Sequence, residues 1–157
     1  MQKVTDLMNA MPVSCSKDET IKNVVNQMSK SNIGFIPVVD ENKKVIGTIT
    51  DRDVALSMAK SDKTPDKLKV QEVMNASAFT VGQDEDASRA LEIMRTKQVG
   101  RLPVVDKDLR LKGVVSLMGI TRKIKNSNEK TEIEHQGKEN IINTARAIAE
   151  RNHKEIA

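Results

Sequence analysis

Apolar residues along this chain fall into short blocks with two kinds of spacing. Ile21, Val24, Val25 and Met28 recur at helical spacing, as do Ala87, Ala90, Leu91 and Met94, and each set predicts one face of a helix. After each helix the period changes to compact β-branched runs, Ile36-Pro37-Val38-Val39 and Leu102-Pro103-Val104-Val105. These predict strands, joined by polar loops over 40–44 and 106–110 to second strands over 45–50 and 111–116. Each second strand runs into another helix, over 51–59 and 117–125. Brief strands over 13–15 and 79–81 and amphipathic turns over 4–8 and 70–74 precede the first helices. Proline lacks the N–H that a ladder needs, so Pro37 and Pro103 restrict their runs to a strand start or a sheet edge. The acids Asp18-Glu19 and Asp84-Glu85 suit the positive helix N-termini that follow.

The two sets are one pattern written twice. Residues 3–56 fall on 69–122 at a constant offset of 66 without a gap, and the match is densest where Gly34-Phe35-Ile36-Pro37-Val38-Val39-Asp40 meets Gly100-Arg101-Leu102-Pro103-Val104-Val105-Asp106. The order is β-α-β-β-α, twice, an α/β (α+β) fold of small sheets covered by helices. It predicts a first repeat over 1–66, a second over 67–125 and a tail over 126–157. Units this short are marginal alone. They are expected to pair about a pseudo-two-fold axis, and ligands favour clefts between such units. Residues 60–68 form a polar linker. In the tail, 126–136 is a polar linker, and Ile141, Ile142, Ala145, Ile148 and Ala149 predict one face of a helix after Gly137 that docks on the repeats or on a partner. Apolar helical positions, Val54, Leu56 and Met58 in one repeat and Leu117, Met118 and Ile120 in the other, need cover and predict a homodimer.

Composition narrows the function. With no Trp or Tyr and two Phe, the chain lacks the aromatic platforms of single-strand binders. The net charge of +4 is spread along the sequence and reads as solvated surface, leaving a nucleic-acid role as the lesser alternative. Cys15 is the single cysteine; it forms no internal disulfide and reads as a small core residue in a reducing cytoplasm. No long apolar run or export signal is evident, so a soluble protein without a membrane anchor is expected. His135 and His153 lack neighbouring metal-ligand partners and read as exposed, so no metal is expected. No nucleophile–base arrangement is evident, so an enzyme is not expected.

Candidate chemistry concentrates in Gly47-Thr48-Ile49-Thr50-Asp51-Arg52-Asp53, where a strand meets a helix. A helix N-terminus offers unpaired N–H groups to an anion, Thr50 adds a hydroxyl, and the Asp53 carboxylate can accept from a diol. The same T-x-x-D spacing is also a capping box needing no ligand. Arg52, a cation in the first helical turn, opposes the dipole unless an anion is present. The second copy keeps Gly113 and Ser116 but has Gly119 where Asp53 stands in the first. Arg101 interrupts an apolar approach to Leu102, where a contact to phosphate and a surface salt bridge both fit.

A doubled unit with G-x-x-P-V-V-D, then glycine, an apolar strand and T-D-R-D, resembles the CBS domain family over about 3–125, and two copies resemble a Bateman module. The likeness is greatest to small stand-alone bacterial CBS-pair proteins. It implies regulatory binding of an adenosyl ligand in a cleft between the units: AMP, ADP or ATP, with S-adenosylmethionine or NAD less expected. It also implies a disc-shaped dimer and an effector protein of unknown identity. By the family pattern Thr50 meets phosphate and Asp53 ribose, with Gly47 and Arg52 beside them. Ile36, Pro37 and Leu102 lie at the adenine, and Ser116 serves a second cleft that lacks the carboxylate. A ligand-independent dimerisation scaffold is the alternative.

Overall fold

Thr20 and Asn32 bracket the first long helix. The computed structural model of the protein describes residues 2–125 and 132–154, in the order α1 (Val4–Leu7), β1 (Cys15–Ser16), α2 (Ile21–Ser31), β2 (Phe35–Val39), β3 (Val45–Thr50), α3 (Asp51–Lys60), a 3-10 turn (Val70–Glu72), β4 (Val81–Gly82), α4 (Ala87–Lys97), β5 (Arg101–Val105), β6 (Leu111–Ser116), α5 (Leu117–Lys125) and α6 (Glu132–Lys154). Thr20 caps α2 by accepting from Asn23 N at 3.3 Å, and the helix stops at Asn32, in the left-handed region at φ 51°. Gln98 ends α4 in the same conformation, at φ 54°. The acids ahead of these helices do different work from that expected: Glu19 accepts from Ser16 N at 2.9 Å and Glu85 from Gly82 N at 2.8 Å. Both tie down the strand-to-helix turn, because they stand before the caps and outside the first turn.

Each repeat forms a three-stranded sheet, in the orders β1-β2-β3 and β4-β5-β6. The prolines therefore lie in central strands, against expectation. The register explains it: β1 pairs in parallel only with Val38 and Val39, and β4 only with Val104 and Val105. At Pro37 and Pro103 the neighbouring strand has not yet begun, so each position is locally an edge and no donor is missed.

The chain divides into two compact units. One comprises 11–78 with 107–111 and is built on Cys15, Ile21, Val24, Met28, Ile36, Val38, Ile49, Val54, Leu68 and Val70. Its sheet is clasped by the stretch that leads to the second repeat: Ile21 N donates to Leu68 O at 2.9 Å, Val70 N to Glu19 O at 3.0 Å and Asn75 N to Thr48 O at 2.9 Å. The other comprises 1–10, 79–106 and 112–157, with Val4, Leu7, Met94, Leu102, Val104, Val115 and Ile120 in its core. There the start of the chain does the same work at equivalent positions. Ala87 N donates to Gln2 O at 3.0 Å, Val4 N to Glu85 O at 2.9 Å and Asn9 N to Val114 O at 2.8 Å.

Helix α6 packs along α4 and reaches α5. It begins at Glu132, so Gly137 lies inside it, whereas the sequence suggested a start after Gly137. Of the expected linker, 126–131 lies outside the described residues, as do the side chains of His135 and His153. The docked stripe also differs from the one expected. Thr144 is buried, with Ile141, Ala147 and Ile148 partly so, while Ala145 and Ala149 are exposed and Ile142 is 56% exposed. At 100° per residue 141, 144 and 148 share one side and 142, 145 and 149 turn away from it; α4 takes the narrower, smaller side.

Candidate functional site

The alternation of β2 and β3 sorts the motif residues before any ligand is considered. Ile36 pairs with Ile49 and Val38 with Gly47, whereas Phe35 pairs with Thr50 and Pro37 with Thr48. Ile36 and Ile49 are fully buried in the core. Phe35, Pro37, Thr48 and Thr50 occupy the opposite sheet face. The sequence reading singled out Ile36 and passed over Phe35 and Thr48; period-two alternation was the signal that marks them.

Gly47 has a packing reason of its own. A methyl group there would meet Asn75 O at 2.8 Å and Met74 Sδ at 3.1 Å, because β3 is bridged to the clasp at Thr48 and Asn75. Gly113 stands in the same relation to Met8 and Asn9, with approaches of 2.6 and 2.7 Å. The clasps demand these glycines whether or not a ligand does.

At the β3–α3 junction Thr50 is the N-cap of α3, and a full capping box is present. Its hydroxyl accepts from Asp53 N at 3.1 Å and donates to Asp53 Oδ2 at 2.7 Å, while Thr50 N donates to the same oxygen at 2.9 Å. The next two amides are also engaged: Asp51 N donates to Gly34 O at 3.2 Å and Arg52 N to Asp51 Oδ1 at 2.9 Å. Asp51 was missed by the sequence reading. Its carboxylate complements the positive helix end, so an incoming phosphate competes with it. Arg52 is exposed beside this turn.

In the unit that holds the second repeat, Ser116 Oγ accepts from Gly119 N at 3.0 Å, and Leu117 N donates to Gly100 O at 3.0 Å. The junction has the shape of the first without its carboxylates. Leu102 is buried in the core, and Arg101 is exposed at the start of β5. The nine residues singled out in the sequence thus divide: Ile36, Pro37, Gly47, Thr50, Arg52 and Asp53 in one unit, Arg101, Leu102 and Ser116 in the other.

Two cavities frame the picture. A charged basin of about 580 Å³ beside α4 and α6 is lined by Lys3, Asp84, Asp86, Arg89 and Glu92 among others. A more apolar groove of about 450 Å³ runs between α2 and α3. Neither is lined by Thr50 or Asp53. Cys15 is buried, and that burial, with the Glu19 carboxylate adding to it, pushes its thiol up to about 12. Among the described residues no helix is long and apolar enough to cross a membrane.

Comparison with known proteins agrees with this architecture. The chain is 34% identical over 125 residues to the inosine-5'-monophosphate dehydrogenase of Methanocaldococcus jannaschii, a match that covers 80% of this chain and only 24% of that enzyme. It is 33% identical over 118 residues to the uncharacterized protein YlbB of Bacillus subtilis, covering 74% of this chain and 78% of that one. Among solved structures, the CBS domain pair of protein MJ0100, in complex with 5-methylthioadenosine and S-adenosyl-L-methionine, superposes with a TM-score of 0.71 at 27% identity, over 80% of this chain and 97% of that one. The CBS domain profile matches twice, at 4–60 and 70–126, in the frame of the internal repeat. The chain therefore belongs to the CBS domain family, as a tandem pair of CBS repeats carrying a C-terminal helix.

Proposed function

We propose that the protein is a cytoplasmic regulatory module that binds an adenine nucleotide at the Thr50–Asp53 junction and signals occupancy through contacts with a second copy or with an effector protein. The observation that carries this is the hydrogen-bonded Thr50–Asp53 pair at the strand-to-helix junction. The first repeat fills every position of the glycine, threonine and aspartate pattern that its family resemblance assigns to phosphate and ribose. The adenosyl ligands in the similar CBS pair support the ligand class. In this reading the Asp53 carboxylate accepts from the ribose diol, and the Thr50 hydroxyl leaves Asp53 to donate to a phosphate oxygen. Binding thereby draws on the cap of α3, and a cap that changes partners gives occupancy a mechanical consequence for the helix. A ligand moves such an equilibrium only by its difference in affinity between the two states.

The closed capping box favours a second reading, a ligand-independent scaffold in which Thr50 and Asp53 only cap. Calorimetric titration with AMP, ADP, ATP, S-adenosylmethionine and NAD separates the two. Saturable binding of at least one, weakened in Asp53→Ala, is expected. Silence from all five would leave the scaffold.

A further inference from the structure

We infer that Asp51 and Phe35 make the first junction discriminate against phosphate charge, so that the adenosyl ligand it takes carries one phosphate at most. The inference rests on the reading of Thr50 and Asp53 as ligand contacts and adds to it which members of the ligand class fit.

A phosphate at a helix N-terminus is held by unpaired amides and by the positive dipole end. At α3 both are already taken. Thr50 N donates to Asp53 Oδ2 at 2.9 Å, Asp51 N to Gly34 O at 3.2 Å, Arg52 N to Asp51 Oδ1 at 2.9 Å and Asp53 N to Thr50 Oγ1 at 3.1 Å. The Asp51 and Asp53 carboxylates complement the dipole from the first turn. Asp51-Arg52-Asp53 sets two carboxylates against one guanidinium, so the turn is net acidic. The Thr50 hydroxyl, once it turns from Asp53, is the donor left for a phosphate oxygen, and a single donor suits a single phosphoryl group.

The sheet side offers no compensation. Phe35 is the register partner of Thr50 in the β2–β3 ladder, which puts their β-carbons about 5 Å apart on one face. Its ring is partly buried and has no polar hydrogen to donate. A chain of phosphates laid over it would give up water without gaining a partner, which is costly for a charged group. Pro37 and Thr48, the neighbouring pair on that face, bring no cation either.

The second repeat carries the opposite set at equivalent positions. Arg101 stands where Phe35 does, Leu117 where Asp51 does and Gly119 where Asp53 does. The fold thus accommodates a cation in place of the ring and a helix end without carboxylates, so packing alone dictates neither Phe35 nor Asp51.

The test is calorimetric titration of the full chain with AMP, ADP, ATP and S-adenosylmethionine, without divalent cations that would mask phosphate charge. Affinity is expected to fall from AMP through ADP to ATP by about fivefold for each added charge, the Coulomb cost of two like charges about 4 Å apart in water. S-adenosylmethionine, with its cationic sulfonium, is expected to bind more tightly than ATP. Asp51→Asn keeps the oxygen that accepts from Arg52 N and removes the charge, so it should bring ATP close to AMP. Raising ionic strength from about 50 to about 500 mM should narrow the same gap in the wild type, an effect that a purely structural Asp51 would not produce. Phe35→Arg should favour ATP further. ATP binding as tightly as AMP in the wild type, or an unchanged gap in Asp51→Asn, overturns this inference and leaves the nucleotide site standing. Silence from all four ligands removes the site and this inference with it. If Phe35→Arg misfolds, Asp51→Asn and the salt series decide.

Discussion

Thr50 and Asp53 hold each other through three hydrogen bonds, at 2.7, 2.9 and 3.1 Å, all made by one hydroxyl, two backbone amides and one carboxylate oxygen. The two residues that the family pattern assigns to phosphate and ribose are therefore a single structural unit before any ligand arrives. In the proposed reading capping and binding share the same atoms, so a substitution here would act on both and the two effects have to be measured separately.

Asp53→Ala is expected to lower the stability of the ligand-free protein by about 1 kcal/mol, the usual worth of a cap. It should weaken nucleotide binding about ten- to hundredfold, since a hydrogen bond to a charged group is worth about 1.5 to 3 kcal/mol. Urea denaturation without ligand gives the first number, and calorimetry at a temperature where both proteins are folded gives the second. Lost stability with unchanged affinity would reduce the motif to a cap.

Two glycine substitutions should move stability in opposite directions. Gly47→Ala places a methyl 2.8 Å from Asn75 O, a backbone atom held by the Thr48–Asn75 bridge, and is expected to cost about 1 to 3 kcal/mol by overpacking. Gly137→Ala meets nothing within 4 Å inside α6 and should gain about 0.5 to 1 kcal/mol from helix propensity. Denaturation midpoints of the two variants against wild type check both. A neutral Gly47→Ala would mean that the clasp yields.

Most of the elements were legible because the offset of 66 lets each repeat check the other. Helix α5 runs over the residues expected and α3 over one more, since a β-branched run followed by hydroxyl-capped helical spacing has few alternative readings. The clasps were not legible. Val4 and Val70 looked like the start of their own repeats, and nothing local shows that Val4 bonds to Glu85 and Val70 to Glu19. The face of α6 was misread for a related reason. Ile142, Ala145 and Ala149 look like a core stripe by hydropathy, yet the partner surface on α4 selects Thr144, which a count of apolar residues passes over. At the candidate site, the pattern singled out Thr50 and Asp53, which the structure joins in a capping box, while it passed over Asp51, because a carboxylate that satisfies the helix end looks the same in sequence as any solvated acid.

Cys15 gives a prediction about pH. Its thiol is pushed from an ordinary value near 9 up to about 12 in the folded protein, first by burial and then by Glu19. Between those values the unfolded chain releases the proton and the folded one keeps it, so folding stability falls as pH rises above about 9, by at most about 1.4 kcal/mol per pH unit. Cys15→Ala removes that slope while losing some packing. Stability of both proteins from pH 7 to 11, by urea titration, should show two curves that converge at alkaline pH. Parallel curves would show that the thiol does not titrate differently on folding. At pH 8 a thiol reagent should leave the native protein unmodified and react once urea unfolds it.

Gly119→Asp asks whether the second junction lacks only its carboxylate. Ser116 already caps α5 by accepting from Gly119 N at 3.0 Å, as Thr50 accepts from Asp53 N, so residue 119 is the position at which a carboxylate would close a second capping box. A β-carbon there meets only Ser116 Oγ, at 3.0 Å, and a hydroxyl on a free rotor can yield by a few tenths of an ångström. The substitution removes a helical glycine and places a negative charge on the positive helix end, so the ligand-free protein should gain about 0.5 to 1.5 kcal/mol. That corresponds to a rise in melting temperature of roughly 2 to 6 °C for a chain of this size. Under the ligand reading the same change should also raise nucleotide stoichiometry from one toward two per chain, because the ribose acceptor that distinguishes the repeats is now present in both. The two readouts separate the roles of the aspartate. A higher melting temperature with stoichiometry still at one would show that a carboxylate at this position caps its helix without recruiting a nucleotide, and would weaken the case for Asp53 as the ribose acceptor. A rise in both would establish that one residue accounts for the asymmetry between the repeats.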